Sequence, residues 1–243
     1  GLAVGDTVGI RVETQKRGTF EPVTDMGESP YLGLPVGYWS DDTSMALCLA
    51  ESIVERQGFY PVDQLERYTR WYRNGYLSSV GECVGSGSGT RTSLERFEKT
   101  RAEYPGDDFP DTAGNGGLMR LAPVPLAYYR NLDEAIELSG KSSRTTHGSI
   151  LAIDANRFYG AVIVAALQSK NKEELLDHLR NLETSPYFGF EFIQSLDPSI
   201  RNIALRSYFD KSRDEVFGTG YVVDALEAAL WVFTNTESYR EGV

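Results

Sequence analysis

Residues Ser40–Ser52 read SDDTSMALCLAES. Three short oxygen-bearing residues and a threonine stand directly ahead of an apolar series. Met45, Leu47, Leu49, Ala50, Ile53 and Val54 recur at spacings that share one broad helix face, and Gly58 offers a stop. A helix over 43–57 is therefore predicted, with Ser40-Asp41-Asp42-Thr43 at its entrance. Short oxygen-bearing side chains at that place can cap the free backbone N–H groups of the first turn. Two adjacent carboxylates exceed what a cap requires, and oxygen-only donors suit hard cations such as Mg²⁺, Mn²⁺ or Ca²⁺. Both readings remain open from this motif alone.

The same periodicity extends in both directions. Pro61 precedes a helix over 63–74 that carries Leu65, Tyr68, Trp71 and Tyr72 at three- and four-residue spacing. A more polar helix is predicted over 92–102 and a long apolar one, as expected of a central helix, over 149–168. Amphipathic segments follow at 171–182, 198–209 and 220–234. No period-2 alternation flanked by hairpin turns is present, so no sheet is expected. Loops rich in Gly, Ser, Thr and Pro fall at 14–40, 75–91, 104–117 and 141–148. No long linker divides the chain and no repeat is evident, so the expectation is one compact all-α domain over residues 1–243.

Composition narrows the function classes. Against 24 Lys and Arg stand 35 Asp and Glu, a net charge of −11. That balance lacks the basic footprint of a general nucleic-acid binder, yet a phosphate-bearing ligand can still rest on backbone amides or a metal. No uninterrupted apolar run approaches the roughly 20 residues that cross a bilayer, and Gly160–Leu167 reads as a buried helix segment. No basic-then-apolar leader opens the chain. Its first residue is Gly1 rather than Met, as expected of a trimmed N-terminus. The two cysteines, Cys48 and Cys83, make no zinc framework. Free thiols, a reducing cytoplasm, a monomer, and neither membrane nor nucleic-acid partners are the expectations.

Further segments carry chemistry-bearing residues. Gly5-Asp6-Thr7-Val8-Gly9 suggests close backbone packing, with Glu13 just beyond it. Gly81–Thr90 reads GECVGSGSGT, whose bare amides can approach phosphate oxygens. It is no Walker loop, because no Gly-Lys-Ser/Thr follows. Ala113–Arg120 reads AGNGGLMR, a Gly-rich turn expected to open into a helix whose first-turn N–H groups and Asn115 receive an anion or sugar. Arg120, one turn in, is expected to neutralise nearby carboxylates. His147, ahead of the central helix, is a cap, a base or a ligand contact, whereas His178 reads as surface. No Ser–His–Asp order or Cys–His pair stands out.

Taken in order, GLAVGDTVG with Glu13, WSDDTSMALCLAES, GSGTRTSLERF, AGNGGLMRLAPV, SRTTHGSILAIDANRFYGAVI and GTGYVVDALEAALWVF resemble the ADP-ribosylglycohydrolase family from Gly1 to about Glu241. The resemblance implies a compact all-helical fold with a cleft holding two Mg²⁺ ions, Mn²⁺ being an alternative. It implies hydrolysis of ADP-ribose from a modified protein, with arginine linkage suggested by the bacterial members. By the same resemblance Ser40, Asp41 and Asp42 are metal ligands, Ser40 standing where the family usually has Thr. Glu13 matches the catalytic glutamate, and Asp42 is expected to share in catalysis. Gly87, Ser88, Gly89 and Thr90, together with Gly114, Asn115, Gly116, Gly117, Met119 and His147, match stretches that contact ADP-ribose.

The family's second metal motif, Asp-x-Asp-Thr, is expected after the helix ending near Phe233, and these residues do not contain it. Two expectations follow. Either the natural chain continues past Val243, or the centre is incomplete and the protein is a non-catalytic or immunity-type ADP-ribose binder.

Overall fold

The computed structural model describes residues 1–243. Helix is the only regular secondary structure, as predicted, and the only extended pairings are two isolated bridges, Asp107 with His147 and Gly114 with Tyr221. The first helix, α1 (Leu2–Gly9), leads through a long irregular segment to α2 (Asp41–Arg56) and α3 (Pro61–Asn74). Acidic Asp41 and Asp42 begin α2 and Arg56 ends it, matching the helix dipole. Pro61 opens α3, where its missing N–H costs nothing. Gly75 ends it at φ 66°, and a side chain there would collide with the backbone of Gly81 and Glu82.

Next come α4 (Ser88–Thr100), α5 (Pro123–Tyr128), α6 (Leu132–Arg144) and α7 (Ile150–Gln168). Then follow α8 (Lys172–Arg180), α9 (Phe190–Ser195), α10 (Pro198–Ala204), α11 (Val222–Asn235) and α12 (Tyr239–Gly242). Helix α4 starts four residues ahead of the predicted 92, because the small residues Ser88 and Gly89 extend it into the Gly-rich loop. Helices α5, α6 and α9 escape the periodicity reading, and the segment predicted over 198–209 stops at Ala204.

Helix α6 shows why. Its sequence LDEAIELSGKSSR is rich in weak helix formers, and tertiary packing compensates. Asn131 caps it, and Ser139, Gly140, Ser142 and Ser143 are buried against α7 in the most extensive helix pair of the fold. At Gly160 of α7 an added Cβ would strike Ser139, so the small residues set how closely the two axes approach.

The core has two parts. A larger cluster of 23 residues gathers α7 with α8, α10 and α11, including Phe158, Phe188, Ile200 and Leu226. A second, of 11 residues, joins α2 to α5 through Met45, Leu49, Trp71, Phe97 and Leu121. Tyr159 packs against both. Contrary to the expectation that no segment reaches membrane-spanning length, α7 is long and apolar enough by length and composition, with a mean hydropathy of 1.6 over an 18-residue window. Some 61% of that window is buried in the protein, so its apolarity serves the core. Cys48 and Cys83 are free thiols, and burial pushes Cys48 up to about 12.

Candidate active site

A polar cleft of about 950 Å³ opens where helix ends meet. Its lining comes from α1 and the turn after it, the start of α2, the entrance to α4, the Gly114–Met119 segment, His147 and the Gly218–Gly220 turn. Helix ends present unpaired N–H groups and short side chains, whereas helix flanks are consumed by packing. That is why a cleft with few apolar residues arises in a fold made almost wholly of helices.

One wall is acidic. Asp6 reaches across from α1 to the entrance of α2, where its carboxylate accepts from the Ser40 backbone N–H at 3.1 Å and its hydroxyl at 2.7 Å. It also accepts from the Thr43 N–H at 3.1 Å and the Thr43 hydroxyl at 2.6 Å. The cap of α2 is therefore supplied by Asp6, and Ser40, the residue in the cap position, makes no side-chain cap bond of its own. Its hydroxyl lies 3.3 Å from Asp42 Oδ2. Freed from capping, Asp41 and Asp42 line the cleft. Burial, then the neighbouring Asp42, holds Asp41 well above the usual carboxylate range. Burial, then Asp6, raises Asp42 to about 6. Glu13 stands at the open rim, raised by partial burial and then by Asp6.

The opposite wall is built from glycine. Residues Ser88, Gly89 and Thr90 form the first turn of α4, with their N–H groups at the cleft. Gly114, Asn115 and Gly116 form a second edge, fastened by Asn115 N–H donating to Gly220 O at 3.0 Å and Val222 N–H donating to Ala113 O at 2.9 Å. His147 sits within this collar. A Cβ at Gly89, Gly114 or Gly116 would stand 3.1, 3.0 or 2.6 Å from a ring atom. Burial, then Arg120, lowers His147 to about 3, so the ring is neutral near pH 7.

Nearly all the residues singled out from sequence meet in this one cleft: Glu13, Ser40, Asp41, Asp42, Gly87, Ser88, Gly89, Thr90, Gly114, Asn115, Gly116, Met119 and His147. Gly117 does not line it. It is buried, and a Cβ there would meet Ser143 and Asn156, so its smallness serves packing. The predicted helix at Gly117 is also absent, the chain making a 3-10 turn over Asn115–Gly117. Arg120 pairs with no carboxylate. It is fully buried and donates to the carbonyls of Gly116 and Ser142 and the hydroxyls of Thr145 and Thr146. Sequence reasoning missed Asp6 as a site residue and the Gly218-Thr219-Gly220 turn. An acidic residue between glycines was the signal for Asp6, but its partners lie 34 and 37 residues away.

The acidic wall fits a hard cation in atom type and charge. Ser40, Asp41, Asp42, Asp6 and Glu13 offer oxygen donors only, and no lysine or arginine forms an ion pair with any of these carboxylates. Burial first, and the neighbouring carboxylates second, disfavour ionisation of Asp41 and Asp42, and a cation bound there would favour it. No three acidic, imidazole or thiol groups close into a ready-made cage. The residues fit part of an oxygen shell, with further ligands required from water or ligand.

Comparison with known proteins identifies the family. The ADP-ribosylarginine hydrolase Tri1 of Pseudomonas putida (strain GB-1) is 36% identical over 244 residues, covering 100% of this chain and 62% of the relative. The Tri1 hydrolase of Serratia proteamaculans (strain 568) is 32% identical over 243 residues, covering 100% and 63%. Human ADP-ribosylhydrolase ARH3 is 29% identical over 160 residues, 60% of this chain and 41% of its own. The chain thus spans 62–63% of the length of its two bacterial relatives. A solved structure titled ADP-ribosylglycohydrolase-related protein complex superposes with a TM-score of 0.79 at 38% identity, covering 99% of this chain and 75% of that one. The ADP-ribosylglycohydrolase family model matches residues 1–243, so the chain, with its acidic wall and glycine collar facing each other across one cleft, belongs to that family.

Proposed function

We propose that this chain hydrolyses ADP-ribose from ADP-ribosylated protein, with arginine as the modified side chain, in a Mg²⁺-dependent reaction. The observation that carries the reading is the pairing of four uncompensated carboxylates with a neutral, amide-rich collar in one cleft. The bacterial relatives named for ADP-ribosylarginine hydrolysis support the linkage.

Cleavage at the ribose anomeric carbon builds positive charge on the sugar. Carboxylates suit that wall because they stabilise such charge and accept a proton from an attacking water. Glu13, at the rim and raised above its ordinary value, would take the proton-accepting role. Ser40, Asp41 and Asp42 are the residues that would hold Mg²⁺, or Mn²⁺, which takes the same donors. When bound there the cation supplies Lewis acidity and a fixed positive charge for ribose hydroxyls. The first-turn amides of α4 and the Gly114–Gly116 edge bind the pyrophosphate, so an acidic protein accommodates a dianion without a basic patch.

The test is release of ADP-ribose from an arginine-ADP-ribosylated protein, with Mg²⁺ and with chelator, beside the Asp41→Ala variant. Turnover that needs Mg²⁺ and disappears in the variant is the expected result. Binding of free ADP-ribose without turnover on arginine- or serine-linked substrates would leave the non-catalytic binder, and absence of both would end the ADP-ribose reading.

A further inference from the structure

Arg120 is a guanidinium with no exposed surface and no carboxylate partner. Burying an unpaired charge is costly unless it is hydrogen-bonded; here both Nη atoms are bonded and Nε alone has no partner. Nη1 donates to Gly116 O at 2.6 Å. Nη2 donates to Thr146 Oγ1 at 2.7 Å, to Thr145 Oγ1 at 3.0 Å and to Ser142 O at 3.2 Å. The guanidinium carbon also lies 4.9 Å from the centre of the Tyr68 ring.

The direction of these bonds determines where a proton resides. A guanidinium has donors only, so the Thr146 hydroxyl accepts from it and keeps its single hydrogen to give. The partner is His147 Nδ1, 2.9 Å away. Nδ1 therefore accepts, and in a neutral ring the proton must sit on Nε2. In the opposite tautomer the hydroxyl would accept from both Arg120 and Nδ1–H, and its own hydrogen would lose the one acceptor it meets here. Nε2 is also the ring atom nearest the positions a Cβ would take at Gly89 and Gly114, at 3.1 and 3.0 Å, so it faces the collar. The main chain around it is pinned: His147 N–H donates to Ser143 O at 2.7 Å, the Ser143 hydroxyl to His147 O at 2.9 Å, and the Ser93 hydroxyl to Thr146 O at 2.7 Å.

We propose that Arg120 and Thr146 are positioning residues that lock His147 in its Nε2–H tautomer, making it a permanent hydrogen-bond donor that selects an acceptor oxygen of the ligand at the glycine collar. Burial and the nearby Arg120 charge keep the ring neutral, so the donor does not switch across ordinary pH. The identity of that ligand as ADP-ribose rests on the function proposed above; the tautomer itself does not.

Only two histidines are present, so His178→Gln leaves a single imidazole to observe. Long-range ¹H–¹⁵N correlation spectra of the ¹⁵N-labelled protein are expected to show a proton-bearing Nε2 and a bare Nδ1. Thr146→Ser should keep that pattern, while Thr146→Val should mix or invert it. ADP-ribose affinity should fall about tenfold in Thr146→Val, the scale of one hydrogen bond, and recover in Thr146→Ser. A wild-type ring with the proton on Nδ1, or one shared between tautomers, overturns the proposal without needing any variant to fold. An unchanged tautomer in Thr146→Val overturns the relay. A wild-type Nε2–H ring in a protein that binds no ADP-ribose retains the relay and removes the ligand assignment.

Discussion

The two walls of the cleft solve opposite electrostatic problems. On the glycine side the Thr146 hydroxyl links the Arg120 guanidinium to His147, and the ring is held neutral by burial and Arg120. On the acidic side Asp6, Asp41, Asp42 and Glu13 crowd together with no lysine or arginine among them. The first wall is finished by the protein itself, whereas the second leaves charge for something outside the chain to neutralise. A rigidly bonded wall is preorganised to recognise, while a carboxylate-lined one holds repulsion that a bound cation would relieve.

Removing the charge of the acidic wall should have the largest effect. The double substitution Asp41→Asn with Asp42→Asn is expected to lower Mg²⁺-dependent turnover by about a thousandfold or more. It should also stabilise the metal-free protein at pH 8 by on the order of 1–2 kcal/mol, since the raised carboxylates no longer repel. Urea denaturation without Mg²⁺ checks the second half. A loss of stability would show that the wall is already neutralised.

Filling the other wall should act on recognition alone. Gly116→Val brings a side chain against the His147 ring, where a Cβ would already stand 2.6 Å from Cε1. ADP-ribose affinity measured by calorimetry is expected to fall about a hundredfold, while thermal stabilisation by Mg²⁺ persists. Loss of both responses would mean that the walls are not separable.

Asp6 lies on the acidic wall yet serves as a cap. Asp6→Asn should cost about 1 kcal/mol, seen as a fall in Tm of roughly 2–4 °C, through weaker capping of α2. Asp42, relieved of its neighbour, should titrate closer to an ordinary carboxylate, which carbon-detected NMR of the side chains reports.

The smallest effect is pH dependence. Asp42 is raised from 3.8 to about 6, so its contribution to stability is fully present below 3.8 and lost as pH rises through 6. His147 is lowered from 6.5 to about 3, so its contribution is present above 6.5 and lost as pH falls toward 3. The rise in Tm on adding Mg²⁺ should therefore be larger at pH 8 than at pH 5, by a few degrees. Equal shifts at both pH values would place the cation away from Asp42. His147→Gln should flatten the acid limb alone.

Much of this architecture was legible in the residues. Helices α2, α3 and α11 announce themselves by apolar periodicity, because each buries one face, and α7 by its long apolar run. Helix α6 did not, since apart from Ile136 its buried face is made of Ser, Gly and Ala, which carry little hydrophobic signal and depend on α7 for their burial. Within the site, Ser40, Asp41, Asp42 and the two Gly-rich segments stood out by local pattern. Gly117 stood out for the same reason but faces the packing between α6 and α7. Arg120 read as a partner for carboxylates and proved to be a donor to carbonyls and hydroxyls, a role that spacing along the chain does not reveal.

By itself, then, the sequence determined the helical class and the local chemistry of each segment, because helix periodicity, caps and Gly-rich turns are written over a few residues. Only the tertiary structure decided that Asp6 caps α2, that Asp41 and Asp42 are left without a counterion, and that His147 packs against the glycines of the collar. Those outcomes depend on residues far apart in the chain being brought together, Asp6 with partners 34 and 37 positions on, and only packing of helices into a common core does that.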